Sequence, residues 1–179
     1  MVAVLSKGKP KYAAFEATLV RCEAVGHELA VEFLGLADRD AEAYAGYSAA
    51  LKLPRETDEQ QAARRTALRS AARLASDVPW ECVRACVRLV VAAEALAGRS
   101  NVNAASDVLV AALLGEAAAR GAAENVLINL PSTGDEEYAE TMRWRVDTTL
   151  HEIAAVAART REIVLSGQSQ EPEPETEPA

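Results

Sequence analysis

Apolar positions recur along the chain at alternating spacings of three and four, and polar turn residues punctuate them. From Lys11 the series Phe15, Leu19, Cys22, Gly26, Leu29, Phe33 and Leu36 marks the seam of a long helix packed in a bundle. The same count continues to Asp40, Ala43 and Tyr47, which puts a carboxylate on or beside the seam, where it needs a partner or a purpose. Upstream, MVAVLS reads as the end of a helix and KGKPKY as a basic turn.

Pro54 breaks the pattern in KLPRETDEQQ, and Thr57 followed by Gln60 predicts a capping box for a helix through QAARRTALRSAARLAS. Pro79 is expected in the first turn of a separate helix, WECVRACVRLVVAAEAL, which Gly98 stops. The polar stretch RSNVNAASD, residues 99 to 107, then separates two apolar helices, with Asn103 as N-cap. Its helix is expected to reach Pro131, and a final long helix spans DEEYAETMRWRVDTTLHEIAAVAARTREIVLSG, with acids in its first turn and Arg159 and Arg161 near its end. The fold class expected is all-α, an antiparallel bundle of long helices.

Composition supports that reading: of 179 residues, 50% are hydrophobic and only 4% aromatic, so alanine-rich helices pack on helices. Residues 1–167 are expected to form one domain, and 168–179, rich in proline and glutamate, a disordered acidic tail. A net charge of -8 argues against a nucleic-acid partner, because neutralising phosphates takes a basic surface. Cys22, Cys82 and Cys86 are expected as reduced thiols in a cytoplasmic protein, with no zinc site, since His27 and His151 lie in unrelated segments. No apolar run of the ~18 residues that span a bilayer is expected. Tandem repeats, a glycine-rich phosphate loop and a serine-histidine-aspartate pattern are all missing from the sequence.

SNVNAASD, followed by a small-residue helix ending in NVLIN, resembles the cyclodeaminase/cyclohydrolase family of folate enzymes. SKGKPKY, DRDAEAY at 38–44, LKLPRETDEQQAAR at 51–64 and DVPWE at 77–81 follow in the family's order, so the resemblance covers roughly residues 1–165. Members usually carry, before the segment matched here by MVAVLSKGKPKY, a helix and a glycine-rich loop, and this sequence is expected to begin after them.

The resemblance implies a helical dimer that holds a tetrahydrofolate derivative as substrate near the subunit interface, with no other cofactor. It implies either closure of 5-formiminotetrahydrofolate with loss of ammonia or hydrolysis of 5,10-methenyltetrahydrofolate. Both reactions pass through a tetrahedral carbon and ask for a proton shuttle. A partly buried carboxylate supplies one when burial raises its pKa toward the working pH.

On this resemblance Asp107 is the first catalytic candidate and Asp40 the second. Asn101, Asn103 and Ser106 would position the ligand beside Asp107, and Tyr44 accompanies Asp40. Lys52, Arg55 and Lys11 would receive the glutamate carboxylates of folate. A plainer account of the same residues is helix-cap and dipole chemistry, which leaves a non-catalytic dimeric scaffold or a folate-binding module as alternatives. The catalytic reading requires Asp107 and Asp40 to face a common cleft. Asn125 and Asn129 share a helix face with Asp107, but 18 residues at ~1.5 Å each place Asn125 roughly 27 Å away, so a structural role is expected for both asparagines.

Overall fold

The computed structural model describes residues 1–173. Helix α1 (Val2–Ser6) leads through a 3-10 turn (Pro10–Phe15) into α2 (Glu16–Leu51), α3 (Asp58–Leu96), a short 3-10 turn (Val102–Ala104), α4 (Ala105–Thr133) and α5 (Glu136–Ser166). The described residues contain no strand, as the scarcity of β-branched runs predicts. The chain divides into two compact units. Of the described residues, the first holds 1–30, 86–117 and 152–173, the second 31–85 and 118–151. Helices α2 and α4 pass from the first unit into the second, and α3 and α5 return, so direction alternates along the chain.

The core of the first unit is built from Val2, Ala93, Ala97, Ala104, Val108, Ala112 and Ala157, with Ala3, Tyr12 and Leu19 as a second cluster. Alanine at these positions lets helix backbones approach closely. Gly115 marks one such approach, because a Cβ there would lie 2.8 Å from Val90 Cγ1. In the second unit Ala72, Val83, Ala119, Val126, Leu130 and Met142 are buried.

Helix α2 buries a narrow stripe. Cys22, Leu29, Leu36, Ala43 and Ala50 recur every seven residues and are buried, whereas Gly26 and Asp40, from the adjoining row of the expected seam, are exposed. The expectation of Asp40 at the buried seam is therefore corrected. The row of Asp40 is covered only in part, with Leu19 fully buried and Gly26 and Asp40 uncovered, which leaves the carboxylate exposed.

The cap at Thr57 forms as expected: the Gln60 N–H donates to Thr57 Oγ1 at 3.2 Å and the Thr57 N–H to Gln60 Oε1 at 3.3 Å. Gly98 follows α3 with φ +68°, as a C-terminal glycine should.

Pro79, in contrast, starts no helix. It lies inside α3, which runs unbroken from Asp58 to Leu96. Proline cannot donate to the carbonyl four residues earlier, that of Ala75. Asn129 Nδ2 donates to this carbonyl instead, at 3.0 Å. A side chain from α4 thus satisfies the acceptor that proline abandons, and the expected structural role of Asn129 has a specific content. Pro131 likewise falls within α4, which ends at Thr133.

The expected N-cap at Asn103 is also corrected. Asn101 accepts the Asn103 N–H on its side chain at 3.1 Å, while its own N–H donates to Ser6 Oγ at 2.8 Å. Ser6, fully buried, donates in turn to Val2 O at 3.0 Å. Part of the long polar stretch therefore anchors α1 to the α3–α4 connection.

Of the expected acidic tail, residues 174–179 lie outside the described residues. Residues 168–173 stay largely exposed and are hydrogen-bonded to the rest of the first unit. Gln170 N–H donates to Gly98 O at 3.1 Å, Arg99 Nε to Glu171 O at 2.6 Å and Thr18 Oγ1 to Glu173 Oε2 at 3.0 Å.

Candidate functional site

The first unit carries two pockets that share Leu96 and Val108 as walls. Asp107, in the first turn of α4, lines the larger, about 380 Å³, together with Glu23 and His27 of α2. That volume is within the range of small-molecule sites. Glu23 and His27 stand one helical turn apart, so both side chains leave the same face of α2. Glu23 pairs with Lys7, and this contact holds its carboxyl below the usual range. Cys22 also lines the pocket, and burial pushes its thiol up. A thiol so placed stays protonated and is a poor nucleophile.

The pocket therefore offers one carboxylate without an ion pair among those identified (Asp107), one neutralised by lysine (Glu23), and an imidazole. An imidazole exchanges protons near neutral pH more readily than any other side chain. Asp107 itself is exposed, which corrects the expectation of a partly buried carboxylate. Position 107 is on the outer flank of the first turn of α4, while Val108 turns inward.

The second pocket of this unit, about 250 Å³, is lined by Lys11, Tyr12, Ser100 and Asn101, with Gly167, Gln168 and Ser169 forming one wall. The Lys11 ammonium sits 5.4 Å from the centroid of the Tyr12 ring. Asn103 and Ser106 are exposed and line neither pocket. Asn101 and Lys11 are thus brought together, and Asn103 and Ser106 are left out.

In the second unit Asp40 and Tyr44 line a pocket of about 310 Å³ with Tyr47, Asn125 and Asn129. Arg55 lines a small basic hollow with Gln61, Arg64 and Arg65, and Lys52 is exposed in the turn after α2. Asp40 and Asp107 line different pockets, each within its own unit.

His27 is the residue that the sequence reading missed. Its signal was present but weak, because Glu23 and His27 at positions four apart share a face of a helix that carries many other charged residues. Only the packing of α2 against α4 shows that this face meets Asp107. Among the described residues no three His, Cys, Asp or Glu side chains come together as a metal site.

Fold and site thus define an all-helical protein whose pockets carry carboxylate, imidazole and amide groups and hold no metal cluster among the described residues. Comparison with known proteins refines that class. The family model described as formiminotransferase-cyclodeaminase matches residues 1–148, and the chain belongs to this family. It is 36% identical over 166 residues to the methenyltetrahydrofolate cyclohydrolase of Methylorubrum extorquens, covering 93% of this chain and 80% of that protein. It is 33% identical to the formimidoyltransferase-cyclodeaminase of Sus scrofa, of which it spans 29%. The crystal structure of formiminotetrahydrofolate cyclodeaminase from Thermotoga maritima superposes with a TM-score of 0.79 at 28% identity, over 93% of this chain and 79% of that one.

Proposed function

We propose that this chain acts on a one-carbon unit carried by tetrahydrofolate, with the reacting carbon held in the Asp107–His27 pocket. The observation that carries the reading is that Asp107, the aspartate of the SNVNAASD stretch, shares its pocket with an imidazole. In hydrolysis of 5,10-methenyltetrahydrofolate a water oxygen bonds to the cationic methenyl carbon and loses a proton to the imidazole. The Asp107 carboxylate lowers the energy of the cation that results. The C–N5 bond then breaks as the imidazolium delivers a proton to N5 and the hydroxyl proton leaves to solvent, so that the C=O of the 10-formyl product forms. The deaminase reading uses the same groups: N10 attacks the formimino carbon and loses its proton to the imidazole, which protonates the amino group so that it leaves as ammonia. It is favoured by the likeness to the Thermotoga cyclodeaminase, and hydrolysis by the likeness to the Methylorubrum cyclohydrolase.

Loss of the methenyl chromophore separates the readings. Accelerated loss in the wild type, slowed about a hundredfold or more in both Asp107→Asn and His27→Gln, supports the hydrolase at this pocket. Ammonia release from the formimino substrate, with the same two variants impaired, supports the deaminase. An effect of Asp40→Asn with none of Asp107→Asn would move the chemistry to the Asp40–Tyr44 pocket. Neither activity in the wild type would leave the non-catalytic scaffold.

We further infer that the chain pairs with a second copy through α4. Val102, Val110, Leu113 and Leu114 are 46–64% exposed around the first turns of this helix, an apolar surface that water does not stabilise. By length and composition the segment Val102–Thr133 could also cross a membrane, unlike the expectation from apolar runs, with 28% of its most apolar window buried. Small residues and an aspartate in its first turn favour a helix partner. Sedimentation should give a dimer that Leu114→Glu converts to monomer. A monomer that binds lipid vesicles would overturn the inference. Action in the cytoplasm is part of the same proposal, supported by the absence of any disulfide among Cys22, Cys82 and Cys86.

A further inference from the structure

The segment Gln168–Glu173 follows α5, and its first residues, Gln168 and Ser169, form part of the wall of the pocket beside Asn101. Three of its hydrogen bonds fix its path: the Gln170 N–H and Ser169 Oγ donate to Gly98 O at 3.1 and 3.3 Å, and Arg99 Nε to Glu171 O at 2.6 Å. The fit at Gly98 is close, since a Cβ there would stand 2.7 Å from Gln168 O. The far end of the segment is held by charge. Glu173 Oε2 accepts from Thr18 Oγ1 at 3.0 Å and from the Arg21 guanidinium. Thr18 is buried, so its hydroxyl is fixed by the helix it belongs to.

A hydroxyl and a guanidinium one turn apart on a rigid helix make a receptor for a carboxylate. Here the carboxylate belongs to the chain itself. Gly167, Gln168 and Ser169 wall the pocket, while the carboxylate further along the segment rests on the receptor. Occupancy of Thr18–Arg21 and the wall that Gln168 and Ser169 give the pocket are consequently linked through one short strap.

We propose that Thr18 and Arg21 form a carboxylate subsite, filled in this structure by Glu173, and that a glutamate carboxylate of a folate ligand displaces Glu173 and frees the strap from the pocket beside Asn101. The identity of the displacing ligand rests on the folate reading above. The subsite itself rests on the geometry of Thr18, Arg21 and Glu173. No covalent step is involved; one carboxylate exchanges for another.

The test measures hydrogen exchange of residues 168–173 in the full chain with three probes: 5-formyltetrahydrofolate, its glutamate-free pteroate counterpart, and glutarate alone. The glutamate-bearing folate and glutarate should both speed exchange of the Gln170 amide, and the pteroate should not. Glu173→Gln should tighten binding of the glutamate-bearing folate about two- to fivefold, as expected for removing one partly exposed ion pair, and leave pteroate affinity unchanged. Arg21→Gln should weaken that folate and erase the gain from Glu173→Gln. If the folate binds while Gln170 stays protected and Glu173→Gln changes nothing, the subsite is wrong and the folate reading stands. If no folate binds but glutarate frees the strap, the subsite stands and the folate reading fails. If none of the three probes changes exchange and neither the folate nor its pteroate counterpart binds, both are overturned.

Discussion

Asn129 and Pro79 offer a double-mutant cycle whose outcome the structure dictates. Replacing Asn129 by alanine removes the donor at 3.0 Å from Ala75 O and leaves a carbonyl inside α3 with no N–H, because position 79 is proline. Ala75 is 9% exposed, so water does not readily replace the lost donor. Orphaning a buried acceptor costs about 1–3 kcal/mol. Alanine's better helix propensity returns roughly 0.5 kcal/mol of this, which leaves about 0.5–2.5 kcal/mol of destabilisation.

In a Pro79→Ala background the helix N–H returns, and the carbonyl keeps a donor when Asn129 is removed. The cost of Asn129→Ala should then fall by about 1 kcal/mol, retaining only the bond from Asn129 Nδ2 to Asn125 O at 2.8 Å. Urea unfolding of the four proteins, followed by circular dichroism at one pH, gives the coupling from the midpoints at equal slopes. Costs of Asn129→Ala that agree within about 0.3 kcal/mol in the two backgrounds would refute the substitution of a side-chain donor for the proline.

Other expected outcomes follow from single contacts. Tyr138 donates its hydroxyl to Asp77 at 2.7 Å, and burial together with that carboxylate raises its pKa. Tyr138→Phe should cost about 1.5–3 kcal/mol in urea unfolding, because a charged acceptor loses its donor. Arg39 holds Glu81 through two hydrogen bonds at 2.6 and 2.8 Å, which lower the Glu81 pKa. A depressed carboxylate contributes stability above its unfolded pKa and loses it as pH falls. Hence Arg39→Ala should destabilise the protein at pH 7 and be indistinguishable from wild type in the acid range, with salt shrinking the difference. The Cys22 thiol is pushed up by burial, so it should resist alkylation at pH 8 in the folded protein and react on denaturation. Rapid labelling of Cys22 in the native state would contradict that burial.

Much of the helical layout is legible in the chain because its signals are local. Thr57 and Gln60 are three residues apart and form the cap they announce, and Gly98 takes the positive φ that ends α3. Pro79 misleads for the opposite reason. Its local rule predicts a helix start, yet a side chain 50 positions further along the chain supplies what the rule says is missing. The resemblance located Asp107 and Asp40, but spacing on one helix carries no information about which pocket each will line.

By itself, then, the sequence determined the helix class, most of the approximate spans, the caps at Thr57 and Gly98 and the family, since periodicity and short motifs act within a few turns of one helix. Tertiary structure alone decided that His27 joins Asp107, that Asp40 lies in another pocket, that Asn129 serves Ala75 and that Glu173 returns to Arg21. Each of these joins residues far apart in sequence, and such pairings are fixed by how alanine-lined helix faces pack, which a linear pattern does not encode.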